Sequence, residues 1–253
     1  MIDRLPRPRA LLIDLDGTLL DERYRVSARS VEAVREAARL MPVAIATGRV
    51  FEETCHYARL LGLSAPQVSD NGARLVDPIA GRTIHDLPMN AGSARLLVTK
   101  LESEGVRYFA SDNGRTVRRS ADFKSWRVTV VTAYMAGERE AMELAARDRG
   151  ADDVVAIASH GAEGHWYINY SHRDGGKGYG ARKFASHLGI DPRDVMAIGD
   201  GANDVELFDT VGIPVAMGHA SSGIKARATY VTESQLEEGV ACAIERFVLD
   251  RTP

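Results

Sequence analysis

Ala10-Leu11-Leu12-Ile13-Asp14-Leu15-Asp16-Gly17-Thr18 decides the fold. Four apolar residues run straight into two aspartates and a glycine. A short apolar run bounded by turn residues suits a strand buried on both faces, as in a parallel sheet covered by helices; periodicity alone leaves a buried helical segment open. The pattern recurs at Val195-Met196-Ala197-Ile198, which leads into Gly199-Asp200-Gly201-Ala202-Asn203-Asp204. In open α/β sheets ligands gather beyond the carboxyl ends of the strands, where strand order reverses. Asp14, Asp16, Asp200 and Asp204 are therefore expected to converge on one crevice, with Thr47-Gly48-Arg49 and Lys177 ending or following other such runs.

Gathering carboxylates is costly. Two unit charges about 4 Å apart repel by roughly 4 kcal/mol at an effective dielectric near 20. A cation resolves the conflict, and Mg²⁺ fits because it takes hard oxygen ligands, keeps some of its waters and is commonly shared between carboxylates and a substrate phosphate. Lys177 adds a fixed positive charge. Zinc does not fit: there are two cysteines and seven scattered histidines, with no close Cys/His spacing.

Along the chain, helices and strands alternate as in a doubly wound, Rossmann-like α/β core. Ser27 is a candidate N-cap for a helix over Ala28 to Leu40, with Val31, Val34, Ala38 and Leu40 at helical spacing. Val43 to Ala46 reads as the second strand and Val50 to Leu61 as the second helix, stopped by Gly62. Gln67 to Ser69 reads as a third strand, ending at the turn signal Asn71-Gly72. The pattern resumes after Gly178 with a helix to Leu188, the strand ending at Asp200, a short helix over Asp204 to Phe208, a strand at Ile213 to Ala216 and a helix from Gln235 to Leu249. Between these halves the rhythm changes. Helical stretches at Ala91 to Glu104 and Glu138 to Arg149 mix with strand-like segments at 106–110, 116–118, 127–131, 154–158 and 166–170. An α+β cap with an antiparallel sheet is expected over 78–174, inserted into a core of 1–77 and 175–253, with linkers near Val76-Asp77-Pro78 and Arg173-Asp174-Gly175-Gly176.

Composition excludes some classes. The 253 residues are 45% hydrophobic and 26% charged, with a net charge of −3. That gives no basic surplus for sequence-independent nucleic-acid binding. The cluster Arg115, Arg118, Arg119 reads as a solvated face, with phosphate contact as the minor alternative. Two cysteines make no disulfide framework, and neither Met1 to Arg9 nor any later run has the apolar length of a leader or a membrane span, so a cytoplasmic monomer or homodimer is expected.

DLDGTLL at 14–20, ATGR at 46–49, SDNGA at 69–73, GGKG at 175–178 and IGDGANDVELF at 198–208, in this order, resemble the haloacid dehalogenase (HAD) superfamily, and within it the Cof-type sugar-phosphatase branch with its cap between the second and third motifs. The likeness continues through Val215-Ala216-Met217-Gly218, Tyr230-Val231-Thr232 and Glu238-Gly239-Val240-Ala241, covering both ends of the chain well and the middle poorly. It implies a Mg²⁺-dependent phosphatase acting on a small phosphorylated metabolite, such as a sugar phosphate or phosphoglycolate. Asp14 would be the nucleophile that becomes an aspartyl phosphate, and Asp16 the acid and base for leaving group and water. Thr47 would bond a phosphoryl oxygen and Lys177 would neutralise charge. Mg²⁺ would be held by Asp14, Asp200 and the backbone carbonyl of Asp16. Asn203 would steady the phosphoryl group, and Asp204 would orient Lys177 or a metal-bound water. Gly48, Arg49 and Asn71 complete the expected substrate side, Arg49 reaching a substrate anion or the cap.

Each residue also has a plainer reading: Asp-Gly as a turn, Thr47 as a helix cap, Lys177 as a solvated lysine, Asp204 as a helix-dipole partner. Two positions depart from the family pattern. Asn169 stands where an acid is usual, as a contact for sugar hydroxyls or a bond within the sheet, and His219 stands where Asn is usual. His165 and Trp166 are candidate pocket residues. Competing functions are phosphotransfer between two positions of a sugar, as in phosphomannomutases, and a non-enzymatic phospho-acceptor like a response-regulator receiver. A proton donor two residues past the nucleophile and an inserted cap both argue for turnover.

Overall fold

The computed structural model describes residues 7–135, 137–147, 153–160 and 166–251. The first part of the chain forms β1 (Ala10–Ile13), α1 (Ala28–Leu40), β2 (Val43–Ile45), α2 (Phe51–Leu61), β3 (Gln67–Ser69), β4 (Arg74–Asp77) and β5 (Arg82–Asp86). Next come α3 (Ala91–Ser103), β6 (Tyr108–Asp112), β7 (Arg115–Val117), β8 (Val128–Met135), α4 (Glu138–Arg147), β9 (Val154–His160) and β10 (Trp166–His172). The last part supplies α5 (Lys177–Leu188), β11 (Val195–Gly199), α6 (Val205–Thr210), β12 (Ile213–Ala216), α7 (Ser222–Lys225), β13 (Tyr230–Val231) and α8 (Gly239–Phe247).

The core sheet is parallel, in the order β13-β12-β11-β1-β2. Within it β1, an interior strand, pairs Leu11 with Met196 of β11 on one side and Val43 of β2 on the other, so strand order reverses beside the strand that ends at Asp14. All four β1 residues are buried, and the two-residue strand period divides them between two cores. Leu11 and Ile13 face Val34 of α1 and Ile244 of α8. Ala10 and Leu12 face Phe184 of α5 and Leu207 of α6. Burial on both faces is why these strands read as unbroken apolar runs.

Local signals set the helix ends. Ser27 accepts the Ser30 N–H at 3.1 Å as N-cap of α1, and Gly62 takes a left-handed φ of 75° to close α2. Leu40 ends α1 on the outside, 58% exposed, not on its apolar stripe. The expected helix over 235–249 is broken at Glu238, whose φ of 64° separates a 3₁₀ turn (Gln235–Glu237) from α8. Beyond Ile45, Ala46 lies outside the strand but donates its N–H to the Ile13 carbonyl at 2.9 Å and bridges Val68.

The inserted cap is an antiparallel sheet, β7-β6-β8-β10-β9, with α3 and α4 contributing Val98, Leu101, Ala141 and Leu144 to its core. The expected end of α4 at Arg149 and the candidate His165 lie outside the described residues. The stretch Val76-Asp77-Pro78, expected as a linker, leads into a hairpin turn instead. The Asp77 carboxylate accepts the Ile79 and Ala80 N–H groups at 3.0 and 2.9 Å, and β5 returns to pair with β4 in a small sheet, β3-β4-β5. The chain crosses to the cap sheet after Asp86, where the Leu87 N–H bonds the Ala73 carbonyl at 2.8 Å and the Met89 N–H bonds Val128 of β8 at 2.8 Å. Among the described residues no helix is long and apolar enough to cross a membrane.

Candidate active site

Asp14 follows β1 directly, and Asp200 follows β11. Their strands are hydrogen-bonded neighbours, so a separation of 186 positions in sequence collapses to one sheet edge. Lys177 opens α5 and is fully buried; its Nζ donates to Asp14 Oδ1 at 2.6 Å and to Asp204 Oδ1 at 2.7 Å. The other Asp204 oxygen accepts the backbone N–H groups of Asp200 (3.1 Å) and Gly201 (2.9 Å). Asp204 is thus a clamp: it orients the lysine with one oxygen and shapes the loop carrying Asp200 with the other.

Asp14, Asp200 and Asp204 each bring an oxygen within 4.8 Å of the others. Three carboxylates face one ammonium. Burial first, and then the Asp204 and Asp200 charges, hold the Asp14 carboxyl well above the usual range despite Lys177. Asp204 is raised by burial and by Asp200. Burial alone would lower Lys177, but Asp14 and Asp204 outweigh it and push the ammonium upward. The surplus of buried negative charge and the hard oxygen donors suit a divalent cation. Gly17 makes room for the arrangement. Its φ is 83°, and a Cβ there would fall 2.6 Å from an Asp200 oxygen.

Asp16 sits apart from this acidic group. Its carboxylate is gripped by Arg49, Nε to Oδ2 at 2.9 Å and Nη2 to Oδ1 at 2.7 Å, a two-pronged pair that fixes the carboxylate plane. The Arg49 guanidinium also lies 5.0 Å from the Tyr24 ring centre and 5.2 Å from that of Tyr57. Tyr167 of the cap, in edge contact with Tyr134, has its hydroxyl pushed up to about 12 by burial, with Tyr24 and Asp16 nearby adding to the effect.

Thr47 is fully buried and its Oγ1 accepts the Arg49 N–H at 3.1 Å, so it serves as a loop cap. Gly48 faces the cap: a Cβ there would lie 3.8 Å from Asn169 Nδ2. Asn169 itself is spent inside the sheet, accepting from Thr132 at 2.9 Å and donating to Ser159 at 3.1 Å. Asn71 is buried, and among the described residues neither of its amide atoms has a hydrogen-bond partner. Asn203 is half-buried on the 3₁₀ turn Ala202–Asp204, its side-chain oxygen folded back over Gly201. Arg118 and Arg119 are exposed, and Arg119 pairs with Asp122.

Sequence reasoning passed over Thr18, whose hydroxyl donates to Asp200 Oδ1 at 2.6 Å; the threonine of the DGT run was the available signal. His219 also turns towards this acid. Its Nδ1 accepts the Gln235 N–H at 3.3 Å, its Nε2 lies 3.6 Å from Asp200 Oδ2, and Asp200 raises its pKa.

Comparison with known proteins agrees with this geometry. Over 241 residues the chain is 28% identical to a phosphoglycolate phosphatase of Methanothermobacter thermautotrophicus, covering 95% of this chain and 99% of that protein. It is 26% identical to the phosphatase YwpJ of Bacillus subtilis, covering 92% and 97%. A haloacid dehalogenase-like hydrolase of B. subtilis shares the fold with a TM-score of 0.80 at 23% identity, covering 95% of this chain and all of that one. The model of the haloacid dehalogenase-like hydrolases matches residues 11–143 and 147–244, which takes in both halves of the core and most of the cap, and the chain belongs to that family.

Proposed function

We propose that the protein is a Mg²⁺-dependent phosphatase that hydrolyses a small phosphomonoester through an aspartyl phosphate on Asp14. The observation that carries this reading is the buried Lys177 ammonium shared by Asp14 and Asp204 in a pocket that still holds excess negative charge. A buried, oriented cation beside a carboxylate oxygen serves a reaction in which an anionic group approaches that oxygen.

In the first half-reaction an Asp14 oxygen forms a bond to phosphorus as the bond to the leaving oxygen breaks, and Asp16 delivers a proton to that oxygen. In the second, water attacks the same phosphorus, Asp16 takes the proton back, and inorganic phosphate leaves with Asp14 restored. The paired Asp16 carboxylate is the form that accepts a proton from water, so Arg49 must loosen its grip for the first half. Asp14, Asp200 and the Asp16 carbonyl would hold Mg²⁺, with Asp204 at its edge. The ion would supply Lewis-acid stabilisation of phosphoryl charge. Thr47, Gly48, Asn71 and Asn203 would line the phosphoryl side, and Asn71 brings an unspent donor and acceptor to that task. We assign residues 87–174 to the cap and the flanking segments to the core, because β5 pairs with β4. Tyr24 and Tyr167 would meet the leaving group. Phosphoglycolate and sugar phosphates are the first substrates to assay, in view of the names of the relatives.

The test is Mg²⁺-dependent phosphate release from p-nitrophenyl phosphate by wild type and by Asp14→Asn, followed by a metabolite panel ranked by kcat/KM. Full activity in Asp14→Asn defeats the assignment, and an isomerised sugar phosphate in place of free phosphate supports the mutase alternative.

A further inference from the structure

Arg74 is a large charged side chain with no role in the chemistry above, yet it is completely buried. Placing a guanidinium in the interior is expensive unless every donor is used. Its Nε donates to Asp70 Oδ2 at 2.8 Å, Nη1 to Thr83 Oγ1 at 2.7 Å and Nη2 to Thr129 Oγ1 at 3.1 Å, with Asp86 Oδ2 3.7 Å from Nη1. The Thr129 hydroxyl in turn donates to Asp70, closing a ring of three buried side chains. Asp70 and Arg74 belong to the core, whereas Thr129 lies on β8 of the cap.

The turn that Arg74 grips also seats the catalytic lysine. Asp70, Asn71 and Gly72 take φ values of 53°, 55° and 98° in succession. Two residues with a Cβ in the left-handed region are strained, and such strain persists only where the surroundings enforce it. Here the Asp70 N–H bonds the Arg49 carbonyl at 2.9 Å and the Asn71 N–H bonds the Thr47 carbonyl at 3.0 Å. Gly72 packs so closely on the backbone before Lys177 that a Cβ would lie 2.2 Å from the Gly176 carbonyl oxygen and 2.6 Å from the Lys177 nitrogen. Both crossings to the cap touch this turn: Leu87 bonds the Ala73 carbonyl, and a Cβ on Gly175 would lie 3.5 Å from that of Ala73.

We propose that Arg74 is a positioning residue that couples the seating of the cap to the placement of Lys177. The path runs from Thr129 of the cap through Asp70 and Arg74 into the strained turn, and from Gly72 to the start of α5. This inference rests on the phosphatase reading. Thr129→Val removes only the cap-side hydroxyl and leaves the Asp70–Arg74 pair in place. Arg74→Lys keeps the charge and loses the fork.

In both variants kcat and kcat/KM for phosphate release should fall together by about tenfold, the scale of a slightly misplaced catalytic group. Hydrogen exchange at 176–180, Leu87 and 128–133 should accelerate, Mg²⁺ binding by calorimetry should be retained, and Thr129→Ser should restore both rate and protection. Wild-type kcat together with wild-type exchange at 176–180 in Thr129→Val overturns the proposal. A lower unfolding temperature with those two readouts unchanged overturns it as well, since that is a purely structural role. If the wild type releases no phosphate, the phosphatase reading falls, and the exchange comparison still decides the coupling.

Discussion

Replacing Lys177 by Met keeps the side-chain volume roughly constant and deletes one charge from the centre of the molecule. In the wild type the ammonium lies 2.6 and 2.7 Å from two buried carboxylates. Without it, Asp14, Asp200 and Asp204 face one another with oxygens no more than 4.8 Å apart. At an effective dielectric of 20 each such pair repels by at least about 3.5 kcal/mol. Removing one partner of a buried ion pair typically costs about 3–5 kcal/mol, because the remaining charge stays desolvated. Lys177→Met should therefore lose about 3–5 kcal/mol in metal-free urea unfolding. Adding Asp204→Asn, which removes one of the repelling charges, should recover part of the loss. Phosphate release should fall by about 10²-fold or more, the scale of losing a preorganised electrostatic partner. A metal-free cost below about 1 kcal/mol, the level of an exposed pair, would refute the buried-pair argument.

Two further expectations concern the scaffold. Gly72→Ala places a Cβ 2.2 Å from a carbonyl oxygen at φ 98°, whereas Gly81→Ala has φ 62° and nothing within 4 Å. The first should cost about 2–5 kcal/mol and the second about 1–2 kcal/mol in urea unfolding, and equal costs would contradict the close packing at Gly72. In the cap, burial raises the Asp112 carboxyl, but the Ser125 hydroxyl and the N–H groups of Ser125, Lys124 and Arg127 outweigh it and hold the pKa below the usual range. A depressed folded-state pKa adds stability above the unfolded value of about 3.9 that is lost as pH falls through the folded value. The unfolding-temperature difference between wild type and Asp112→Asn should be largest near neutrality and shrink as pH drops below about 4. A difference independent of pH would show that the carboxylate's charge is not what the loop uses.

The parts of the fold visible in sequence are those written by neighbours in sequence. The apolar runs ending at Asp14 and Asp200, the Ser27 cap and the Gly62 stop all act within a turn or a strand, and each lies where expected. What escaped depends on distant partners. No local signal tells which sheet β5 joins, so the sequence does not show that β5 returns to pair with β4 before the chain reaches Leu87. The burial of Arg74 depends on Thr83 and Thr129, which lie on other strands, as well as on nearby Asp70, and only the last of these is close in sequence. Thr18 acquires meaning only from Asp200, 182 positions away. The left-handed Glu238 and Asp70 are conformations that a Cβ normally resists, and composition gives no warning of them.

The split of the core has a consequence for synthesis. β1 emerges early, but its partner β11 and the cation for Asp14 follow much later; Lys177 lies 163 positions downstream. At about 5–20 residues per second a ribosome needs roughly 8–33 s to cover that distance. Through that interval one apolar edge of β1, Leu11-Leu12-Ile13, has no strand to cover it, and an unpaired edge of this kind is a template for wrong pairing. The cap, whose sheet pairs only within 108–172, can assemble while the core waits. Nascent-chain protection therefore belongs at the amino-terminal half, and slow translation upstream of Lys177 would lengthen the exposure.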